Sequence, residues 1–189
     1  MDIIQSLKMK DPYVTVGLFD RKNLFYGVKC FGKSRALEEE FVKEISTFTV
    51  CGSSTIIYCM TVEDAKQIFK SLQEAGIKAG IYQYQMTGKD REESHRSFVR
   101  DELPVMVATI AFGIGVDKAN IRHVIHYGCL KSLESYYQGS GRCGRDGLAS
   151  NCWLYYTRSD FVKAGFYCGE VDTEIQRTTI MESFISIAP

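Results

Sequence analysis

The sequence predicts an α/β domain in three layers, with a mostly parallel sheet flanked by helices on both faces. Three observations carry this. Short β-rich apolar runs alternate with helical stretches of about 10–15 residues, the pattern of β-α-β crossovers. Two of those helices open on capping boxes, Thr61 with Asp64 and Thr87 with Asp90, where a hydroxyl and a carboxylate three residues on satisfy the first free amides. Runs such as Thr55-Ile56-Ile57-Tyr58-Cys59 are apolar without alternation, as expected of strands covered on both faces.

The elements follow in order. Residues 1–10 read as a short helical fragment with apolar Ile3, Ile4 and Leu7, ended by Asp11-Pro12, because the residue before proline is disfavoured in the helix. This piece has nothing of its own to pack on, so residues 1–23 read as the tail of a preceding unit and a linker. Residues 24–28 form a strand, and 34–48 a helix carrying Glu38-Glu39-Glu40. After the strand at 55–59, the helix capped by Thr61 places Val62, Ala65, Phe69 and Leu72 on one face, and Gly76 stops it. A strand at 79–82, a helix from Thr87 to about 100, and strands at 105–108, 124–127 and 152–156 complete the pattern, with a helix from about Ser132 between the last two. The chain beyond Arg158 is helical to 167, then polar and weakly patterned. The main domain is therefore 24–167, and 168–189 is a connector. In open parallel sheets ligands bind beyond the carboxyl ends of the strands, which directs attention to the loops after Ala108 and Tyr127.

Composition narrows the function classes. Lys+Arg and Asp+Glu both total 23, giving zero net charge. That excludes binding to nucleic acid by bulk positive charge, but not a grip on a few phosphates at defined points. No apolar run reaches the roughly 20 residues of a membrane helix. The seven cysteines are odd in number and never spaced C-x-x-C, so they read as reduced thiols, several of them small buried apolar residues. His95, His123 and His126 are not at metal-ligand spacing, and no metal ligand is assigned. Tyr82, Tyr84, Tyr136, Tyr137, Tyr155 and Tyr156 can stack on bases or pack in the core.

Two segments carry chemistry. In Val107-Ala108-Thr109-Ile110-Ala111-Phe112-Gly113-Ile114-Gly115-Val116-Asp117-Lys118, a buried strand runs into a loop with two glycines and an acid. Gly113 and Gly115 let backbone amides approach a ligand closely; Thr109 offers a hydroxyl to a phosphate, and Asp117 accepts from a ribose hydroxyl. A plain tight turn is the other reading. In Tyr137-Gln138-Gly139-Ser140-Gly141-Arg142-Cys143-Gly144-Arg145-Asp146-Gly147, two arginines three apart each follow a glycine. They read as projecting from one side of a helix end, with both guanidinium forks exposed for bidentate grip on phosphate. A solvated arginine pair is the alternative. Arg122, just after Asn120-Ile121, reaches a phosphate or forms a surface salt bridge.

Together these segments resemble a known family, the superfamily 2 helicases and specifically the RecQ group. The V-A-T-x-A-F-G-x-G-x-D-K run at 107–118 resembles its motif V, and Y-Y-Q-x-S-G-R-x-G-R-D-G at 136–147 its motif VI. Ile56-Ile57-Tyr58-Cys59 is similar to the start of motif IV, and Phe19-Asp20-Arg21-x-Asn23-Leu24 to the junction between two RecA-like lobes. The resemblance covers about residues 1–180 and implies that 24–167 is the second, helicase C-terminal RecA-like lobe.

The resemblance implies a role. The lobe would act in a 3′-to-5′ ATP-dependent DNA helicase of DNA repair, recombination or replication, in the nucleus. It would partner the first lobe of the same protein and bind single-stranded and forked DNA. Arg142 and Arg145 would be arginine fingers, with Gln138 linking DNA binding to hydrolysis. Gly113, Gly115 and Asp117 would bind ATP; Thr109, Arg122 and Gln83 would contact DNA. ATP and Mg2+ would be held mainly by the first lobe, since neither G-x-x-x-x-G-K-[S/T] nor D-E-x-H occurs here. The 189 residues alone would then be inactive, and residues 168–189 would lead toward a zinc-binding region. A non-catalytic nucleic-acid-binding module from a truncated helicase is an alternative, as is a lobe of an RNA helicase, although Gln138 stands where RNA enzymes generally have His. Two departures stand out: Gly139 replaces the family's Glu, and Gln83 its His. The first implies weakened coupling, which Gly139→Glu would relieve by raising DNA-stimulated activity.

Overall fold

The computed structural model describes residues 2–14, 20–30, 35–50, 52–109, 112, 116–128, 133–157 and 160. Its strands are β1 (Leu24–Cys30), β2 (Ser54–Cys59), β3 (Ala79–Tyr82), β4 (Val105–Thr109), β5 (Ile121–Tyr127) and β6 (Ser150–Tyr156). They form one sheet in the order β1-β6-β5-β2-β4-β3, and every neighbouring pair is parallel. The helices are α1 (Asp2–Ser6), α2 (Arg35–Val50), α3 (Val62–Glu74), α4 (Gly88–Val99) and α5 (Leu133–Ser140).

Period-two alternation divides the core between the two faces of the sheet. Ile57, Cys59, Val105, Val107, Ile125 and Tyr155 meet Phe41 and Ile45 of α2 and Ala65, Ile68 and Leu72 of α3. Their neighbours Ile56, Tyr58, Met106, Ala108, Val124 and Cys152 face the other way, onto Phe98 of α4, Phe112 and Cys143. All six residues of β2 are buried, so this central strand has no polar face to alternate, as its sequence predicts. The three layers and the parallel sheet stand as expected.

Local chemistry sets the ends. Thr61 Oγ1 accepts from the Asp64 amide at 3.0 Å and Thr87 Oγ1 from that of Asp90 at 3.2 Å. Gly76, with φ of +75°, follows the last turn of α3. On α3 the expected Val62, Ala65 and Leu72 are buried, but Ile68 joins them in place of Phe69, which is only partly covered. β5 begins at Ile121, three residues before the apolar run, because Ile121 and His123 pair with Ser54 and Thr55 of β2. Cys59, Cys143 and Cys152 are buried thiols and Cys30 is exposed; Cys51, Cys129 and Cys168 lie outside the described residues, as does the helix expected up to 167. Among the described residues no helix is long and apolar enough to cross a membrane.

Because all strands are parallel, their starts (Leu24, Ser54, Ala79, Val105, Ile121, Ser150) share one edge of the sheet and their carboxyl ends the other. Loops are thereby sorted to opposite ends of the domain.

Candidate functional site

The arginine-bearing segment leaves the helix before its first arginine. α5 ends at Ser140, and residues 141–147 form consecutive turns. Gly141 N still donates to Tyr137 O at 2.8 Å, whereas Cys143 N reaches back only to Ser140 O at 2.9 Å, the tighter spacing of a closing helix. Gly144 then takes φ of +56°, a left-handed conformation open chiefly to glycine, and its amide donates across to Ile121 O, the first residue of β5, at 2.8 Å. The chain has crossed from the middle of the sheet to its amino edge.

The two arginines therefore diverge, contrary to the expectation that they share one helical side. Arg145 is 39% exposed and donates through Nη1 to Asp117 Oδ1 at 2.8 Å; Asp117 is 87% exposed. This contact joins the two sequence segments that carry chemistry. It lies beside the start of β5, at the amino edge rather than beyond the carboxyl ends where the sheet rule points. The stretch from Thr109 to Ile121 has to run the length of the sheet to enter a parallel strand, and Asp117 sits near the end of that journey.

Arg142 does not present an exposed fork. It is 8% exposed, donates Nη1 to Gln138 O at 2.7 Å, and places its guanidinium 5.7 Å from the centre of the Tyr58 ring. Around it lies an aromatic stack: the His126 ring is 5.4 Å from Tyr58 and 4.8 Å from Tyr136. His126 is 1% exposed, and neither ring nitrogen has a hydrogen-bond partner. Burial, with Arg142 adding to it, pushes its pKa down to about 3, so the imidazole is neutral. Burial pushes the Tyr58 phenol up to about 12.

Gly139 faces this stack. A Cβ there would stand 2.5 Å from His126 Cε1, 3.0 Å from Nε2 and 3.5 Å from Tyr58 Cε2. The glycine makes room for the neutral histidine, a physical reason for its presence that the spacing of motifs does not reveal. The expected benefit of Gly139→Glu does not follow, since any side chain at 139 must first displace a buried ring.

The remaining site residues distribute as follows. Thr109 is half-buried at the carboxyl end of β4, opposite the Arg145–Asp117 edge, and Gln138 is exposed on α5. Gln83 is 5% exposed, and its Oε1 accepts from the Gln85 amide at 2.6 Å, a brace of its own turn. Arg122 forms the salt bridge of its two readings, with Nη1 3.0 Å from Asp146 Oδ1, Nη2 on Oδ2, and Ser150 Oγ at 3.3 Å. This grip holds the Asp146 carboxyl below its ordinary range. Gly113 and Gly115 lie outside the described residues. Lys118 is buried, 2.6 Å from Asp101 Oδ1 and 3.3 Å from Val99 O; it is a brace of the loop that carries Asp117. Among the described residues no cluster of three metal-ligating side chains occurs. Sequence reasoning passed over Tyr58 and His126 as site neighbours, and it gave Arg21 and Asn23 no function, although both reach the arginine turn from 120 or more residues away.

Comparison with known proteins identifies the family of the domain. Residues 33–147, more than half of the chain, match the family described as helicase conserved C-terminal domain. The chain is similar to ATP-dependent helicase wrn-1 of Caenorhabditis elegans, 39% identical over 84% of this chain and 15% of that protein. It is similar to the bifunctional 3′-5′ exonuclease/ATP-dependent helicase WRN of Mus musculus, 41% identical over 85% of this chain and 12% of that one. To ATP-dependent DNA helicase RecQ of Pasteurella multocida it is 38% identical over 85% of this chain and 24% of that protein. It thus spans a quarter or less of these three relatives. The crystal structure of the Pyrococcus furiosus Hef helicase domain superposes with a TM-score of 0.54 at 23% identity, over 70% of this chain and 28% of that one, a likeness of fold. The chain belongs to the helicase conserved C-terminal domain family, and within it to the RecQ helicases.

Proposed function

We propose that this chain is the second motor lobe of a 3′-to-5′ ATP-dependent DNA helicase, contributing Arg145 as the arginine finger and Asp117 as a nucleotide contact. The observation that carries the reading is the 2.8 Å pairing of these two exposed groups at one edge of the sheet. An exposed ion pair is worth about 0.2–1 kcal/mol, so a triphosphate can replace Asp117 as the partner of Arg145 at small cost. Asp117, released, accepts from a ribose hydroxyl. Donor fork and acceptor carboxylate are thus both suited to a nucleotide lodged mainly on another surface. Bound ATP supplies the phosphoanhydride bond whose hydrolysis drives movement, and its Mg2+ is assigned to the first lobe. Positive charge placed where it develops during phosphoryl transfer is worth about 10³–10⁵ in rate.

Arg142 takes a different part in this proposal. Buried between Gln138 O and Tyr58, it ties the end of α5 to β2 and supports the turn that presents Arg145. Gln138, exposed one turn earlier, is the proposed link between strand binding and hydrolysis. Thr109, at the opposite end of the sheet, is the proposed DNA-backbone contact. Direct DNA contact by Gln83 or Arg122 is not part of the reading, because both side chains are engaged within the domain. Action on single-stranded or forked DNA in repair, recombination or replication belongs to the same proposal. So does a nuclear site of action, which the worm and mouse relatives support; the bacterial relative belongs to a cell without a nucleus.

The test joins this lobe to a first lobe bearing G-x-x-x-x-G-K-[S/T] and D-E-x-H and measures DNA-stimulated ATP hydrolysis. Arg145→Ala is expected to abolish turnover, and the unjoined chain to hydrolyse no ATP. DNA binding with no hydrolysis in the joined protein would favour the non-catalytic module, and stimulation by RNA alone the RNA-helicase lobe.

A further inference from the structure

We infer that Arg21 and Asn23 are positioning residues for the arginine turn, fixing the peptide from which Arg145 projects. The inference rests on the proposed finger role of Arg145. Arg21 donates Nη1 to Gly141 O at 3.1 Å and Nη2 to Gly144 O at 2.6 Å. Asn23 donates Nδ2 to Gly144 O at 2.9 Å and to Leu148 O at 3.0 Å. Two carbonyls of the turn, and that of Leu148 just after it, are therefore held by two side chains that precede β1.

The turn needs such support. It lies outside α5, contains Gly141, Gly144 and Gly147, and each glycine adds conformational freedom that has to be removed. Gly144 O is the anchor, receiving both Arg21 and Asn23. A peptide unit is planar, so holding the Gly144 carbonyl also fixes the N–H and the Cα of Arg145. The peptide unit before it is pinned as well, where Gly144 N donates to Ile121 O at 2.8 Å. Packing is close enough to exclude any side chain at 144: a Cβ would stand 2.6 Å from Asn23 Nδ2 and 2.6 Å from Ser150 Oγ.

Arginine suits the task through its shape. Its rigid fork spans two carbonyls three residues apart, whereas a lysine ammonium at the same place is a point charge that cannot hold both in one geometry. The donor side chains are themselves located by backbone bonds: Leu24 N donates to Arg21 O at 2.9 Å and Ser150 N to Asn23 O at 2.9 Å. These bonds seat the segment on the starting edge of β1 and β6, beside Arg145. Because small displacements of a group acting in the transition state are costly in rate, about 10²-fold for 1 Å, the clamp is expected to show in turnover more than in affinity.

The experiment uses the full-length protein with both lobes and measures DNA-stimulated ATP hydrolysis per folded molecule. Arg21→Ala is expected to lower kcat by about tenfold or more, with KM for ATP and affinity for single-stranded DNA changed less than about threefold. Arg21→Lys, keeping charge but not the fork, is expected to fall between. A kcat within about twofold of the parent in Arg21→Ala overturns the proposal. So does a loss confined to KM or DNA affinity, or full activity in Arg21→Lys. Should Arg21→Ala not fold, Arg21→Lys and Asn23→Ala carry the test on the same readout, and normal kcat in both refutes it. Arg145→Ala separates the two ideas: normal turnover there removes the finger reading itself, whereas an inactive Arg145→Ala beside a fully active Arg21→Ala removes only the clamp.

Discussion

Replacing Gly139 by alanine sets helix propensity against packing, and the structure decides which prevails. In a helix interior alanine is favoured over glycine by about 1 kcal/mol, an upper bound in the last turn of α5 where Gly139 lies, so propensity alone predicts stabilisation. The added Cβ, however, would lie 2.5 Å from His126 Cε1, roughly 1 Å inside ordinary carbon–carbon contact at about 3.5 Å. His126 cannot retreat easily, being 1% exposed, stacked on Tyr58 and packed at a tilt against Tyr136. Overpacking of this kind costs about 1–3 kcal/mol, and a ring held on two sides belongs at the upper end. The net expectation is a loss of about 2 kcal/mol, or roughly 4–8 °C in Tm for a chain of this size. Thermal and urea unfolding of the 189-residue chain measure it. In a His126→Ala background the obstruction is gone, and Gly139→Ala is expected to be neutral or stabilising by up to about 1 kcal/mol. A raised Tm for Gly139→Ala with His126 present, or equal costs in both backgrounds, would refute the steric argument.

Arg142→Ala is expected to destabilise the lobe by about 1.5–3 kcal/mol, because it removes a charged donor from Gln138 O and the packing on Tyr58; urea titration checks this, and unchanged stability would mean that the buried contacts are inert. Asp117→Ala, by contrast, breaks an exposed pair and is expected to change stability by less than about 1 kcal/mol, while in the two-lobe enzyme it raises KM for ATP. Acid is expected to unfold the chain partly through His126. Its folded pKa of about 3 lies below the ordinary 6.5, so the unfolded state takes up the proton first. Its stabilising effect is complete above pH 6.5 and is lost toward pH 3, at about 1.4 kcal/mol per pH unit. His126→Leu is expected to remove about 2 kcal/mol of the stability difference between pH 6.5 and 5, read from urea midpoints at the two pH values. The remaining slope includes His123, whose pKa burial depresses to about 4.

The amino-acid sequence by itself determined the elements and the class of fold. Apolar runs without alternation announced buried parallel strands, and Thr61 and Thr87 marked two helix starts, because strand burial and N-caps are written in contiguous residues. The family was legible for the same reason, in two unbroken segments at 107–118 and 136–147. What the tertiary structure decided was the direction of each side chain. Spacing put Arg142 and Arg145 on one side of a helix, yet α5 stops at Ser140 and Gly144 turns the chain, so one arginine is buried against Tyr58 and the other meets Asp117 at the sheet edge. Neither the displacement of that pair from the carboxyl ends nor the reach of Arg21 and Asn23 to carbonyls 120 or more residues away leaves a local signal. The space that His126 demands of Gly139 is likewise a contact between β5 and α5. Periodicity and capping are properties of neighbours along the chain; steric room and hydrogen bonds across the fold exist only once distant segments have packed.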